Sequence, residues 1–252
     1  MITRQELETY TYRLLACSDF NDYAPNGLQI EGKEKISSIV TAVSASESVI
    51  KEACILQADA LLVHHGFFWR GEKPTITGIK RSRIAKLLNQ DINLFAYHLP
   101  LDCHLELGNN ASLAQLLDIQ TVKQHCLQNT PNLLWSGSFA LNKTSEEVIA
   151  LLTQQLKQKP IHVAGNNKSI KTIAWCSGAA QDFIEDAHAL GVDAYLSGEI
   201  SERTFYQAQE LNIHYFACGH HATERYGIQA LGEHLASKFN LTHQFIDTEN
   251  FI

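Results

Sequence analysis

Hydrophobic positions along the chain change period repeatedly, and the changes mark its elements. Leu7, Tyr10, Leu14 and Leu15 recur at helical spacing, and the pattern stops at the turn-rich segment Asp22-Tyr23-Ala24-Pro25-Asn26-Gly27. From there the chain alternates. Residues 39–43 read as a buried strand, 46–57 as a helix with Ser44 and Glu47 at capping-box spacing, and 60–65 as a second strand. A helix at 82–90, a strand at 93–98 and a helix at 110–117 continue the order. Strand, helix, strand repeated in this way predicts an α/β fold with mostly parallel sheets flanked by helices.

After residue 170 the order returns: strand 172–176, helix 181–190, strand 194–197, helix 201–211, strand 213–218 and helix 223–239. Residues return with it. Laying 39–65 on 173–199 without a gap pairs Ile39 with Ile173, Ala45 with Ala179, Ile50 with Ile184 and Ala53 with Ala187. The same shift pairs Leu56 with Leu190, Asp59 with Asp193, Ala60 with Ala194 and Leu62 with Leu196. Residue frequencies alone would give about two such identities, so the chain is read as an internal duplication. Between the halves, about residues 130–168, lies an insertion with its own pattern: strand 134–141, helix 144–156 with Thr144 and Glu147 at capping-box spacing, and strand 161–164. The expected division is a first half over 1–124 and a second over 125–252.

Composition narrows the class. A chain of 252 residues, 45% apolar and 19% charged, is long enough for a substantial core, and the length falls between one and two domains of about 150 residues. Twenty basic residues against 27 acidic ones, net −7, with no long Lys/Arg run, argue against a nucleic-acid surface. No apolar stretch reaches the roughly 20 residues that span a bilayer, and the polar start resembles no signal peptide, so a cytoplasmic protein is expected. Six scattered cysteines (Cys17, Cys54, Cys103, Cys126, Cys176, Cys218) form no Cys-x-x-Cys pair and read as reduced thiols. The twelve histidines are the unusual feature.

Three histidine clusters fall at the carboxyl ends of predicted strands, where open α/β sheets collect ligands. Val63-His64-His65-Gly66 closes the second strand; both imidazoles can serve one site only if the strand ends there, and otherwise they are strand-end histidines bonded to backbone. His98-Leu99-Pro100-Leu101-Asp102 follows the third strand of the first half, and His220-His221-Ala222-Thr223-Glu224 follows the third strand of the second. The latter two share a His-x3-carboxylate spacing, which on a helix puts both side chains on one face. Alone, such a spacing equally fits a helix start whose acid complements the dipole. Together, His64, His65, Asp102, His220 and Glu224 supply three imidazoles and two carboxylates. That is too many for one four-coordinate ion and suits two bridged ions. Nitrogen and oxygen donors without thiolate point to Zn, Mn or Fe(II). His98 is a further ligand or an orienting group, and Glu199, which occupies the place of His65 in the second half, is a candidate for lining the cavity or for starting a helix.

Taken in order, Asp22-Tyr23-Ala24-Pro25-Asn26-Gly27-Leu28-Gln29, Val63-His64-His65-Gly66, His98-Leu99-Pro100-Leu101-Asp102 with Gly108-Asn109-Asn110, and Gly219-His220-His221-Ala222-Thr223-Glu224-Arg225 closely resemble the YbgI-like family. Its members are the type 2 homologues of GTP cyclohydrolase I, or Ngg-interacting-factor-three-like proteins. The resemblance runs essentially the full length. It implies two intertwined α/β halves, a ring-shaped homohexamer, and a dinuclear metal site opening to the internal cavity, with ligands at His64, His65, Asp102, His220 and Glu224. His98 and His221 fall in the motifs but outside that ligand set and take supporting roles.

The expectation that follows is a metal-dependent hydrolase of a small, nucleotide-like substrate, in which His98 or Glu199 moves protons. The alternatives are a non-enzymatic protein that stores or delivers metal, and a scaffold whose metal site is structural. Nothing in the chain resembles a P-loop or a dinucleotide fingerprint.

Overall fold

The computed structural model describes residues 1–166 and 169–252, so the last two positions of the expected 130–168 insertion, Asn167 and Lys168, lie outside the described residues. The elements in chain order begin with β1 (Ile2–Thr3), α1 (Arg4–Leu14), β2 (Gly27–Ile30), β3 (Lys35–Ile36), β4 (Ser38–Ser44), α2 (Glu47–Ile55), β5 (Ala60–His65), α3 (Gly78–Asn89), β6 (Asn93–Ala96) and α4 (Leu99–Asp102). They continue with α5 (Asn109–Leu116), β7 (Gln120–Leu127), β8 (Thr130–Lys143), α6 (Ser145–Leu156), β9 (Ile161–Val163), β10 (Ile170–Trp175), α7 (Ile184–Ala189), β11 (Ala194–Ser197), α8 (Glu202–Glu210), β12 (His214–Ala217), α9 (His220–Phe239) and β13 (Thr242–Phe245).

Two compact units result, each assembled from separated stretches of chain. The first comprises residues 1–101 and 227–248, the second 102–226 and 249–252. The sequence drew its line at 124/125. Residues 102–124 go with the second unit because β7 pairs with β8, and Ala111, Leu113 and Leu117 pack in a core with Trp135, Phe139, Trp175 and Phe216. Residues 227–248 go with the first because β13 pairs parallel to β4.

The first unit's sheet runs β13-β4-β5-β6-β2, parallel except for the antiparallel edge strand β2. Its central strands are near-continuous apolar runs because helices cover the sheet, and Val40, Ala42, Leu61, Val63, Leu94 and Ala96 pack in one core with Val49, Ile50 and Leu87 of α2 and α3. Each such aliphatic side chain contributes about 1.5–3 kcal/mol by leaving water. Ser46, rather than Ser44, caps α2 by accepting from the Val49 amide.

The second unit's sheet runs β7-β8-β10-β11-β12-β9. Its core β10-β11-β12 is parallel, but β8 and β9 flank it antiparallel and β7 extends β8. The expectation of mostly parallel sheets therefore describes the first unit and only the centre of the second. The inserted strand, helix and strand are β8, α6 and β9. Thr144 and Glu147 form the expected capping box on α6, the Glu147 amide donating to Thr144 Oγ1 at 3.2 Å and the Thr144 amide to Glu147 Oε2 at 2.7 Å.

The duplication is legible at the level of single bonds. Ile39 pairs with Ala60 and Ile173 with Ala194, the same register displaced by the same shift. Asp59 Oδ2 accepts from the Ser37 amide and hydroxyl and from the Ser38 amide. Asp193 Oδ2 accepts from the Lys171 and Thr172 amides and the Thr172 hydroxyl. One carboxylate thus staples the start of each parallel core.

Candidate metal centre

In the first unit His64 and His65 are the last two residues of β5, so both imidazoles stand at the carboxyl end of the strand. The His64 and His65 rings stand 4.6 Å apart, and the donor nitrogens of His64, His65 and His98 all lie within 4.8 Å of one another. Each ring is held through Nδ1. The fully buried His64 places Nδ1 2.9 Å from the Tyr97 carbonyl, which can only accept, so Nδ1 carries the proton and Nε2 presents its lone pair. His65 Nδ1 lies 3.0 Å from Ser44 Oγ. His98 Nδ1 donates to Asp22 Oδ1 at 2.8 Å, while the His98 amide donates to Asn26 Oδ1 at 2.7 Å and the Leu99 amide to Asp22 Oδ2 at 2.9 Å. Burial alone would raise the Asp22 carboxyl, but its bonds from His98, Asn26 and Leu99 hold it down at about 2. Asp22 is therefore a fixed anion, and imidazoles tied at Nδ1 with Nε2 facing outward are how histidines are presented to metals.

In the second unit α9 starts at His220, three residues before the expected position 223, with the Thr223 hydroxyl donating to the Gly219 carbonyl at 3.0 Å. His220 and Glu224 consequently share a helical face, Nε2 to Oε2 at 3.1 Å, as their spacing predicted. His220 Nδ1 donates to Glu199 Oε1 at 2.6 Å. Burial would lower the His220 pKa, but Glu224 and Glu199 outweigh it and lift it to about 9. Glu199 therefore orients His220. Glu224 is 2% exposed, and it has room because residue 178 is glycine: a Cβ there would sit 2.2 Å from Glu224 Oε1 and 3.3 Å from His220 Nε2. Asp102, 5% exposed, is anchored through Oδ1 by Asn109 Nδ2 at 2.8 Å and Ser177 Oγ at 2.9 Å. His221 is buried, and its amide donates to the Ile252 carbonyl.

The structure thus assembles His64, His65 and His98 in one unit and Glu199, His220 and Glu224 in the other, with Asp102 rigidly held. These donors fit a divalent ion. They are imidazoles each tied at Nδ1 and carboxylates held close beside neighbouring side chains. Thiolate is not among them: burial, with the charges of Asp102 and Glu224, pushes the Cys176 thiol well above its ordinary range. Sequence reasoning missed the orienting residues Ser44, Ser177 and Gly178. Ser44 and Gly178 occupy equivalent places in the two repeats, a signal that comparing the repeats would have raised.

Fold and donors together define a duplicated α/β protein with groups that could bind a metal. More narrowly, the chain belongs to the Duf34/NIF3 (NGG1p interacting factor 3) family, whose sequence profile matches residues 2–250. It is 47% identical to a GTP cyclohydrolase 1 type 2 homolog of Allochromatium vinosum over 98% of this chain and 96% of that one. It is 49% identical to the Vibrio cholerae protein of the same description, over 97% and 98%. Among solved structures, protein ybgI, described as of unknown function, matches with a TM-score of 0.95 and 45% identity over all of both chains. TTHA1606 of Thermus thermophilus matches with a TM-score of 0.91 and 30% identity, again over all of both chains.

Proposed function

We propose that the protein is a metal-dependent hydrolase of a small, nucleotide-like substrate, with His64, His65, Asp102, His220 and Glu224 as ligands of two divalent ions drawn from Zn, Mn and Fe(II). The observation that carries the reading is the shared presentation of the imidazoles: His64, His98 and His220 are each tied through Nδ1 to a carbonyl or carboxylate, which leaves Nε2 as the nitrogen a metal ion would take, in His220 by displacing the proton shared with Glu224. A divalent ion in such a site lowers the pKa of water it binds and polarises an electrophile.

The chain's own residues supply the rest. Asp102 is held by Asn109 and Ser177, so its carboxylate is presented without a search through rotamers. Glu199 keeps His220 turned toward Glu224. His98, backed by the fixed Asp22 anion, is the group best built to accept and return a proton at Nε2. Glu199, expected to line the cavity, start a helix or move protons, is given the orienting role instead, and proton transfer is assigned to His98. The homohexameric ring and a cytoplasmic site of action complete the reading.

The test is elemental analysis of protein purified without added metal, joined to a turnover screen over nucleotides, phosphoesters and cyclic amides, with His64→Ala in parallel and mass measured in solution. Two tightly held ions per chain and turnover lost in His64→Ala are expected. Homogeneous metal-loaded protein without turnover on any class would overturn the hydrolase reading, and exchangeable metal passed to an acceptor protein would replace it with metal delivery.

A further inference from the structure

Beside the imidazoles of the first unit stand aromatic side chains that the metal chemistry does not use. The Trp69 indole meets the His98 ring edge to face, centroids 5.0 Å apart at 85°, and lies 5.9 Å from His65. The Tyr23 phenol, on a residue 53% exposed, lies 5.5 Å from His98. Trp69 is half-buried, so the indole is neither core nor free surface.

The loop that carries it is held stiffly. The Phe67 amide donates to Gln29 Oε1 at 2.7 Å, the Trp69 amide to Glu72 Oε2 at 3.2 Å, and the Arg70 amide to the Tyr23 carbonyl at 2.7 Å. The Arg70 guanidinium donates to Asn21 Oδ1 and to the Asp22 carbonyl. Between them Phe68 adopts φ +65, a left-handed backbone that bulky residues rarely take and that clusters at ligand sites. On one side of that residue Phe67 is buried in the sheet's core; on the other Trp69 packs on two imidazoles. The segment Asp22 to Gln29, whose role the ligand set left unexplained, supplies partners on both sides: Gln29 and Tyr23 clamp the tryptophan loop, and Asp22 and Asn26 fix His98. A rigid flat apolar wall beside a few oriented polar groups is the usual make-up of a small-molecule site.

We propose that Trp69, with Tyr23, is a stacking wall that recognises a planar heteroaromatic ring, a purine or pyrimidine base, in the substrate. The proposal rests on the hydrolase reading of the same site and names the part of the substrate that is recognised. Its basis is that stacking on an aromatic face binds any base through its π-surface, whereas a cover that merely shields a metal needs apolar bulk and no flatness.

The experiment separates flatness from bulk and binding from turnover. Adenosine 5′-monophosphate and ribose 5-phosphate are titrated calorimetrically into the metal-loaded full chain and into Trp69→Phe and Trp69→Leu, with metal content measured for each. The nucleotide is expected to bind wild type more tightly than the ring-free sugar phosphate. Trp69→Leu should weaken the nucleotide about tenfold or more and leave ribose 5-phosphate unchanged, while Trp69→Phe stays within a few-fold of wild type. Equal affinities of the two probes for wild type, no binding of either, or a Trp69→Leu protein that binds nucleotide as wild type does would each overturn the wall. So would loss of metal from Trp69→Leu, which would make the indole a cover. With metal still loaded, any of the first three sinks the wall and leaves the metal chemistry standing; a wild type that holds no metal sinks the reading beneath it.

Discussion

Gly178→Ala tests whether the place of Glu224 is what the proposed metal centre needs. Gly178 has φ +67, and a Cβ there would approach Glu224 Oε1 to 2.2 Å, far inside contact distance, so the buried carboxylate must swing away. Left-handed backbone costs an alanine about 1–2 kcal/mol wherever it occurs. Gly191 isolates that cost, having φ +70 with nothing within 4 Å of its would-be Cβ. The two alanine variants should therefore lose similar stability, with Tm lower by about 2–4 °C per kcal/mol for a chain of this size. Because the clash falls on the far end of a side chain, Gly178→Ala should differ chiefly in metal binding. Misorienting one carboxylate should weaken the affinity roughly 10–100-fold, the scale seen when groups orienting metal ligands are lost. Competition with a chromogenic chelator, beside thermal unfolding of the metal-free proteins, reads both quantities. Gly178→Ala binding metal as tightly as Gly191→Ala would refute the argument that the missing Cβ makes room for a ligand.

How far the sequence reveals this molecule depends on whether a feature is written in local pattern. The parallel cores β4-β5-β6 and β10-β11-β12 are legible because buried strands under helices are short apolar runs between amphipathic segments. β7, whose residues Gln120-Thr121-Val122-Lys123-Gln124-His125-Cys126-Leu127 are mostly exposed, gives no such signal, being an edge strand held by its pairing with β8. β13 is missed for a similar reason: it is a short polar strand whose pairing to β4 spans the length of the chain. The start of α9 is placed three residues late because Thr223 resembles a cap, whereas its hydroxyl bonds back to Gly219. At the site, histidines and acids announce themselves by type and by the place of strand ends. The residues that aim them do not: Asp22 reaches His98 across 76 positions and Ser177 reaches Asp102 across 75, so neither pair leaves a trace in spacing. Duplication explains the asymmetry of the donors. The shift that carries Asp59 onto Asp193, with both amide donors kept and the hydroxyl donor moved one residue along, carries His64 and His65 onto Gly198 and Glu199. The repeat preserved the staple that starts each core, while at its strand ends one copy kept an imidazole donor and the other an acid that steers one.

Two further predictions probe the orienting residues and the staple. Ser177→Ala removes one of the two bonds on Asp102 Oδ1 and should weaken metal binding roughly tenfold at a stability cost of about 1 kcal/mol, measured by chelator competition and urea unfolding; unchanged affinity would assign Asp102's orientation to Asn109 alone. Asp59→Asn tests the staple through its pH dependence. Burial would raise the Asp59 carboxyl, but Lys33 Nζ at 2.7 Å and the bonds from Ser37 and Ser38 lower it. A carboxyl depressed in the folded state binds its proton more readily when unfolded. Its contribution is therefore complete above the unfolded carboxylate pKa and disappears as pH falls through the folded value. Wild type should exceed Asp59→Asn by about 1–3 kcal/mol at pH 7, and the gap should close on acidification below about pH 4. Urea unfolding at a series of pH values reads it, and a gap that stayed constant into acid would mean that the staple works through its shape and not through its charge.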